Sequence, residues 1–259
     1  PPDRRAAGWG ATEVSKGEVA GCSGLIRFNC NKLTLPNQEE YPPAGYRPDS
    51  PRPAGELTAR FESLVGECRG EAGKFLRFVF EGDRWTRFRD WPAAVSHHHA
   101  YANGLLEHTV SVAACAKAMA ESMAASGYDV DKEIVIAGAL LHDIGKLESY
   151  RMAPVPEITV EGALLDHVAQ GYLRFSELAA QFGLSEKLRT HLSHILLSHH
   201  GQREFGSPVV PATPEALIVS SADELDFRMF CWKDSVKNLT DEQPISAWNN
   251  STQRRFWKK

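Results

Sequence analysis

The 259-residue chain reads as an all-α helical bundle preceded by a short, incomplete β segment. Three observations predict this class. Apolar residues recur with a helical period from about residue 57 onward. No strand–helix–strand alternation and no internal repeat occurs. Six prolines (Pro36, Pro42, Pro43, Pro48, Pro51 and Pro53) set that region apart from a glycine-punctuated N-terminus.

Each element has its own grounds. Residues 24–29 alternate as a strand does, and residues 32–35 offer a hairpin partner. That is too little strand for a closed five-stranded barrel. The expected division is a β or irregular appendage with its proline-rich connector over 1–55, a helical domain over 56–240 and a basic-aromatic tail over 241–259. Phe61, Leu64, Val65 and Cys68 share one helical face, and Phe75, Leu76, Phe78 and Val79 begin a second helix. Trp85, Phe88 and Trp91 are expected to anchor the core. Long helices follow over 105–125, 134–141, 161–182 and 185–199, with Ser185 as an N-cap. Thr213 followed by Pro214 opens a last helix through Asp223 to about residue 232. The segment 134–141 is almost wholly apolar and therefore central.

Composition excludes several classes. No run of 18 apolar residues is present, so a membrane span is not expected, and Pro1 to Arg5 lack the apolar core of a signal peptide. Five scattered cysteines form neither a CxxC spacing nor a disulfide framework, which fits a reducing cytoplasm. A net charge of -4 argues against a broad electrostatic grip on nucleic acid. A polyanion would have to be held locally.

All ten histidines fall between His97 and His200. Among them His108, His142-Asp143, His167, His199-His200 and the later Asp223 lie on or at the ends of apolar helices. Polar groups there are costly unless satisfied. One such histidine is more often a hydrogen-bonded core residue; the set together points to a metal centre. Imidazole plus carboxylate suits Mn, Fe, Co, Ni or Zn, and Asp143 has two oxygens to share between ions. His191 and His194 are expected outside the ligand set, and Asp226, one turn past Asp223, is placed to orient a ligand histidine.

Ordered along the chain, His108, His142-Asp143 and Asp223 resemble the H…HD…D signature of the HD-domain metal-dependent phosphohydrolase superfamily. The resemblance is closest to YhaM-type 3′-to-5′ exoribonucleases. It is carried by Ser96-His97-His98-His99-Ala100-Tyr101, Gly104-Leu105-Leu106-Glu107-His108-Thr109, His142-Asp143-Ile144-Gly145-Lys146 and Leu196-Leu197-Ser198-His199-His200-Gly201. It continues through Glu204 to Pro208, Glu215-Ala216 and Asp223-Glu224-Leu225-Asp226, and covers roughly residues 57–235. Two departures stand out. Only a remnant of the family's N-terminal OB-fold fits before the connector, and Asn103 stands where the family usually has a second glycine.

The resemblance implies an HD bundle holding two divalent ions, with Mn foremost and Co, Fe, Ni, Zn or Mg as options. His108, His142, Asp143 and Asp223 would hold one, and Asp143 with His167, His199 and His200 the other. Water activated there would attack a phosphodiester. Asp143 is central to that chemistry. Lys146 either neutralises charge at phosphorus or interacts with a helix dipole. His98 and His99 either protonate the leaving oxygen or contact the phosphodiester, or they are structural or hydrogen-bond to a carboxylate ligand. In the tail, Arg254, Arg255, Phe256, Trp257 and Lys258 interleave cations and aromatics as unpaired-base binders do; a solvated end is the bland alternative. The implied activity is a 3′-to-5′ exonuclease on single-stranded RNA or DNA. A phosphohydrolase on a small nucleotide, a diiron oxygenase and a non-catalytic binding module are the alternatives. The expected partner is single-stranded nucleic acid or a nucleotide, without a membrane, and a homo-oligomer is compatible with the sequence.

Overall fold

A computed structural model describes residues 13–14, 17–22, 25–30, 33–34, 50–95, 99–152 and 156–259. Two compact units emerge, residues 1–48 with 152–155 and residues 49–151 with 156–259.

Among the described residues the first unit holds two strand pairs. β2 (Gly17–Cys22) and β3 (Leu25–Cys30) form an antiparallel hairpin with Cys22 opposite Leu25, while β1 (Glu13–Val14) pairs with β4 (Leu33–Thr34). The expected pairing of residues 24–29 with 32–35 is therefore corrected: the partner of β3 precedes it. The connection Ser23-Gly24 supplies the glycine that a two-residue hairpin favours, and Asn31-Lys32 does not.

The second unit is helical. Its helices are α1 (Ala54–Glu67), α2 (Gly70–Val79), α3 (Gly82–Asp90), α4 (Gly104–Ala125), α5 (Lys132–Leu141), the single turn α6 (Lys146–Ser149), α7 (Val160–Phe182), α8 (Glu186–Ser198) and α9 (Pro214–Val236). Strands β5 (Tyr150–Met152) and β6 (Pro156–Ile158) pair between α6 and α7. The expected class, a helical bundle with a small N-terminal β segment, is what the molecule has.

Helix α5 is the axis. Asp131 caps it by accepting from the N–H groups of Glu133 and Ile134, and every residue from Val135 to Leu141 is buried. Helices α1, α2, α4, α8 and α9 all pack against it. Complete burial of Leu140 and Leu141 contributes about 1.5–3 kcal/mol each, and a leucine-to-alanine change there costs about 2–5 kcal/mol. Consequently His142 and Asp143, just beyond the last turn, have little freedom to move. Phe61, Phe80, Trp85 and Phe88 stack into one aromatic cluster at the α1–α3 end. The Trp91 indole N–H reaches the Lys146 carbonyl at 3.0 Å, tying this cluster's side of the fold to α6.

Two local expectations differ from the structure. Ser185 stands at the cap position of α8, but its hydroxyl donates to Glu71 Oε2 at 2.6 Å and caps nothing. Helix α7, which reads as continuous, breaks at Asp166, whose φ of 62° and ψ of 156° are non-helical.

Candidate metal centre

Five elements bring the predicted ligands together. Helix α4 carries His108, the end of α5 carries His142 and Asp143, α7 carries His167, the end of α8 carries His199 and His200, and α9 carries Asp223. His108 Nε2 lies 3.2 Å from each of His142 Nε2, Asp143 Oδ2 and Asp223 Oδ1. On the other side of the same carboxylate, Asp143 Oδ1 is 3.4 Å from His167 Nε2 and 3.8 Å from His199 Nε2. The His200 ring stacks edge-on against His199, with centroids 4.4 Å apart, and lies 4.9 Å from that of His167.

Approach of α6 to α7 depends on glycine. A Cβ on Gly145 would sit 2.0 Å from the His167 carbonyl oxygen and 2.4 Å from the Gly171 nitrogen. Any side chain there would push His167 away from Asp143. Before α4, Asn103 occupies the left-handed region with φ 62°. Asparagine tolerates that conformation better than most residues, and its side-chain amide donates to the Arg89 carbonyl at 2.9 Å. The departure from glycine thus leaves the turn before His108 intact.

Hydrogen bonding on the far sides of the rings decides which nitrogens face the centre. Nδ1 of His142 contacts the Ala139 carbonyl, that of His199 the Leu196 carbonyl, and that of His200 the Phe205 carbonyl, each at 2.7 Å. Nδ1 of His108 contacts Asp226 Oδ2 and that of His167 contacts Asp166 Oδ1, both at 2.8 Å. Carbonyl and carboxylate oxygens only accept, so all five Nδ1 atoms carry hydrogen, and a ring in its neutral form presents its Nε2 lone pair. Nε2 of His167 and of His199 are buried, with no hydrogen-bond partner among the described residues. Lone pairs and carboxylate oxygens facing one another at such distances repel unless a cation lies among them. These residues fit divalent ions by donor chemistry and by the imidazole orientation that metal ligands use.

Protonation follows the same division. Burial opposes charge on His108, but the surrounding carboxylates of Asp143, Asp223 and Asp226 override it and hold its pKa well above the usual value. Burial, with His200 and His142 nearby, holds His199 well below it, and burial with His167 lowers His200. Asp143, though buried, is kept ionised by Lys146 and His142. Lys146 is itself buried, and its Nζ lies 2.6 Å from Asp143 Oδ2. Among the described residues that oxygen has no well-directed hydrogen bond in spite of the close ion pair. Lys146 begins α6 and pairs with the carboxylate.

The remaining predicted residues fall as follows. His98 lies outside the described residues. His99 is buried beside His108, with ring centroids 5.8 Å apart. His191 binds Glu215 Oε2 at 3.0 Å, and His194 Nε2 accepts from the Ala212 N–H at 2.8 Å, so both secure the entry to α9. The tail folds back on residues 239–249. Arg254 Nε donates to the Thr252 carbonyl, Arg255 Nη1 to the Ser246 carbonyl and Lys258 Nζ to the Leu239 carbonyl. Phe256 exchanges hydrogen bonds with Ser246, and the Trp257 carbonyl accepts from the Trp232 indole while its own ring stays half-exposed.

Residues 105–228 match the family model described as HD domain. The chain carries an HD domain. Its curated relatives include the 3′-5′ exoribonuclease YhaM of Bacillus subtilis (strain 168), 32% identical over 181 residues, which are 70% of this chain and 56% of that protein. The 3′-5′ exoribonuclease YhaM of Bacillus velezensis (strain DSM 23117 / BGSC 10A6 / LMG 26770 / FZB42) is 37% identical over 173 residues, 67% of this chain and 54% of that one. The chain thus spans little more than half the length of these relatives. No solved structure matches it.

Asp166 is the residue of this HD domain that reading the sequence missed. It adopts a positive φ with extended ψ, a combination that costs a non-glycine residue about 1–3 kcal/mol. Its carboxylate meets His167 Nδ1 and accepts the Val168 N–H at 3.0 Å. Hydrogen bonding to His167 holds its pKa below the usual carboxylate range. The only signal in the sequence was its place next to His167, which the unbroken helical period on either side concealed.

Proposed function

We propose that this HD domain is a metal-dependent phosphodiesterase, acting as a 3′-to-5′ exonuclease on single-stranded RNA. The observation that carries the reading is the set of five histidines, each held at Nδ1, with Nε2 of His108, His142, His167 and His199 within 3.8 Å of Asp143 or Asp223 and His200 grouped with His167 and His199. His108, His142, Asp143 and Asp223 would hold one divalent ion, and Asp143, His167, His199 and His200 a second, with Mn²⁺ the first choice. Bound there, the ions supply acidified water and neutralise phosphate charge.

The protein's own contribution is positional and electrostatic. Asp143 faces both groups of histidines with separate oxygens. Lys146 keeps it ionised and fixes its rotamer, and Trp91 in turn holds the Lys146 carbonyl. The relatives' names support the polarity of cleavage and the RNA substrate. Half-exposed Trp248 and Trp257 supply flat faces on which unpaired bases can stack. Among the described residues no helix is long and apolar enough to cross a membrane, and a cytoplasmic setting suits a substrate of this kind.

A 5′-labelled oligoribonucleotide incubated with the protein and Mn²⁺ should yield a ladder shortening from the 3′ end. The acidic net charge favours a second reading, hydrolysis of a small nucleotide. Cleavage of mononucleotides or cyclic dinucleotides with every oligomer left intact would select that reading and remove the first.

A further inference from the structure

Behind His108 lies a buried polar chain that the proposed ligand set leaves unused. Glu107 Oε2 accepts from Ser50 Oγ at 2.6 Å and from the Tyr101 hydroxyl at 2.8 Å. The Tyr101 hydroxyl also lies 2.7 Å from His99 Nδ1, and the His99 tautomer sets which of the two donates. His99 Nε2 stands 3.4 Å from Asp226 Oδ2, the oxygen that holds His108 Nδ1. Ser111 donates to the other oxygen of Asp226.

The backbone is bent to put His99 there. Its φ is 55°, and its carbonyl accepts the Ala93 N–H at 3.1 Å. Gly104 approaches that carbonyl so closely that a Cβ would sit 2.0 Å from the oxygen. The ring is buried among Tyr101, His108 and Phe230, which is a poor position for handing a proton to a departing nucleotide.

We infer that His99 is a positioning residue, the middle link of a Glu107–Tyr101–His99–Asp226 chain that fixes the His108 ring for its ion. The inference rests on the metal-dependent reading above and deepens it. It differs from the proton-donor role that the position of His99 ahead of the ligands suggests.

The test compares Tyr101→Phe, which removes one hydroxyl, with His99→Asn, chosen because asparagine accepts the left-handed backbone. Mn²⁺ binding is followed by calorimetry, the melting temperature is taken without metal, and turnover is measured on an oligoribonucleotide and on bis(p-nitrophenyl) phosphate. The phenolate leaves without needing a proton, so a missing general acid is masked on that substrate. Both variants should bind Mn²⁺ about 10-fold more weakly at one of two sites, with the metal-free melting temperature little changed. Both should lose activity by a similar factor on both substrates. His99→Asn that binds Mn²⁺ and cleaves the phenyl ester like the parent, while failing on RNA, would make His99 the proton donor and overturn the inference. Tyr101→Phe with undiminished Mn²⁺ affinity would overturn it as well. Should the parent protein bind no divalent ion, the metal-dependent reading falls first and this one with it.

Discussion

The two halves of the centre are built from the same residue types but on different principles. Around His108 stand three carboxylates, Asp143, Asp223 and Asp226, all largely enclosed. Around His199 stand three further histidines, His142, His167 and His200, and Asp143 is the nearby carboxylate that both halves share. Opposite pKa displacements follow, upward at His108 and downward at His199 and His200. The supports differ too. His108 is braced by a deep side-chain network, whereas His167 is braced by the exposed, strained Asp166. A cation is stabilised more by two carboxylate ligands, Asp143 and Asp223, than by Asp143 alone, so the His108 end should hold its ion tightly and the His167 end should exchange it.

The largest effect that could break this comparison comes from the shared residue. Asp143→Ala should lower phosphodiesterase activity by at least ~10³-fold, roughly 4 kcal/mol of transition-state stabilisation, and reduce bound Mn²⁺ at both ends. Retention of one ion at parental affinity would mean that the carboxylate is not shared. Next, His108→Ala should cost more activity than His200→Ala, each exceeding the ~10–100-fold typical of supporting residues; the reverse order would invert the ranking of the two ends. Graded chelation should empty the His167 end first, seen as a biphasic loss of metal. Since excess ion at 100 times its Kd contributes about 2.7 kcal/mol, full stripping should lower the melting temperature by about 5–10 °C.

Smaller effects sharpen the contrast. Asp166→Gly relieves the strained backbone while removing the carboxylate, so the metal-free protein should melt a few degrees higher and bind its weaker ion several-fold less well. A lower melting temperature would show that Asp166 is not strained in solution. The smallest effect lies at the start of α9, away from both ends. Burial opposes ionisation of Glu215, but hydrogen bonds from the Asp131 N–H and its own N–H, together with His191, hold its pKa below the usual value. Its stabilising contribution is therefore complete above the ordinary carboxylate range and is lost as pH falls through and below it. Glu215→Gln should flatten that part of the acid-unfolding curve.

Much of the candidate centre is legible in the sequence. An apolar run ending in His142-Asp143 announces a buried helix with donors at its mouth, and the confinement of ten histidines to the middle of the chain narrows where their partners lie. Helix positions followed from apolar period, within a few residues. Other features escaped for identifiable reasons. The β3 partner depends on which two-residue connection turns more easily. Ser185 abandons its cap because Glu71, 114 residues away in sequence, offers a carboxylate. The cations of the tail are engaged by backbone carbonyls, which composition cannot reveal.

Residue order alone established the helical periods, the buried axis of α5 and the kinds of donor atoms available, because these depend on local spacing and side-chain chemistry. Which nitrogen of each ring faces the centre depended on the folded arrangement. His108 owes its orientation to Asp226, 118 residues further along the chain, and His167 owes its own to a neighbour forced out of helical geometry. Ring orientation is set by whatever acceptor lies behind it, and long-range packing chooses that acceptor.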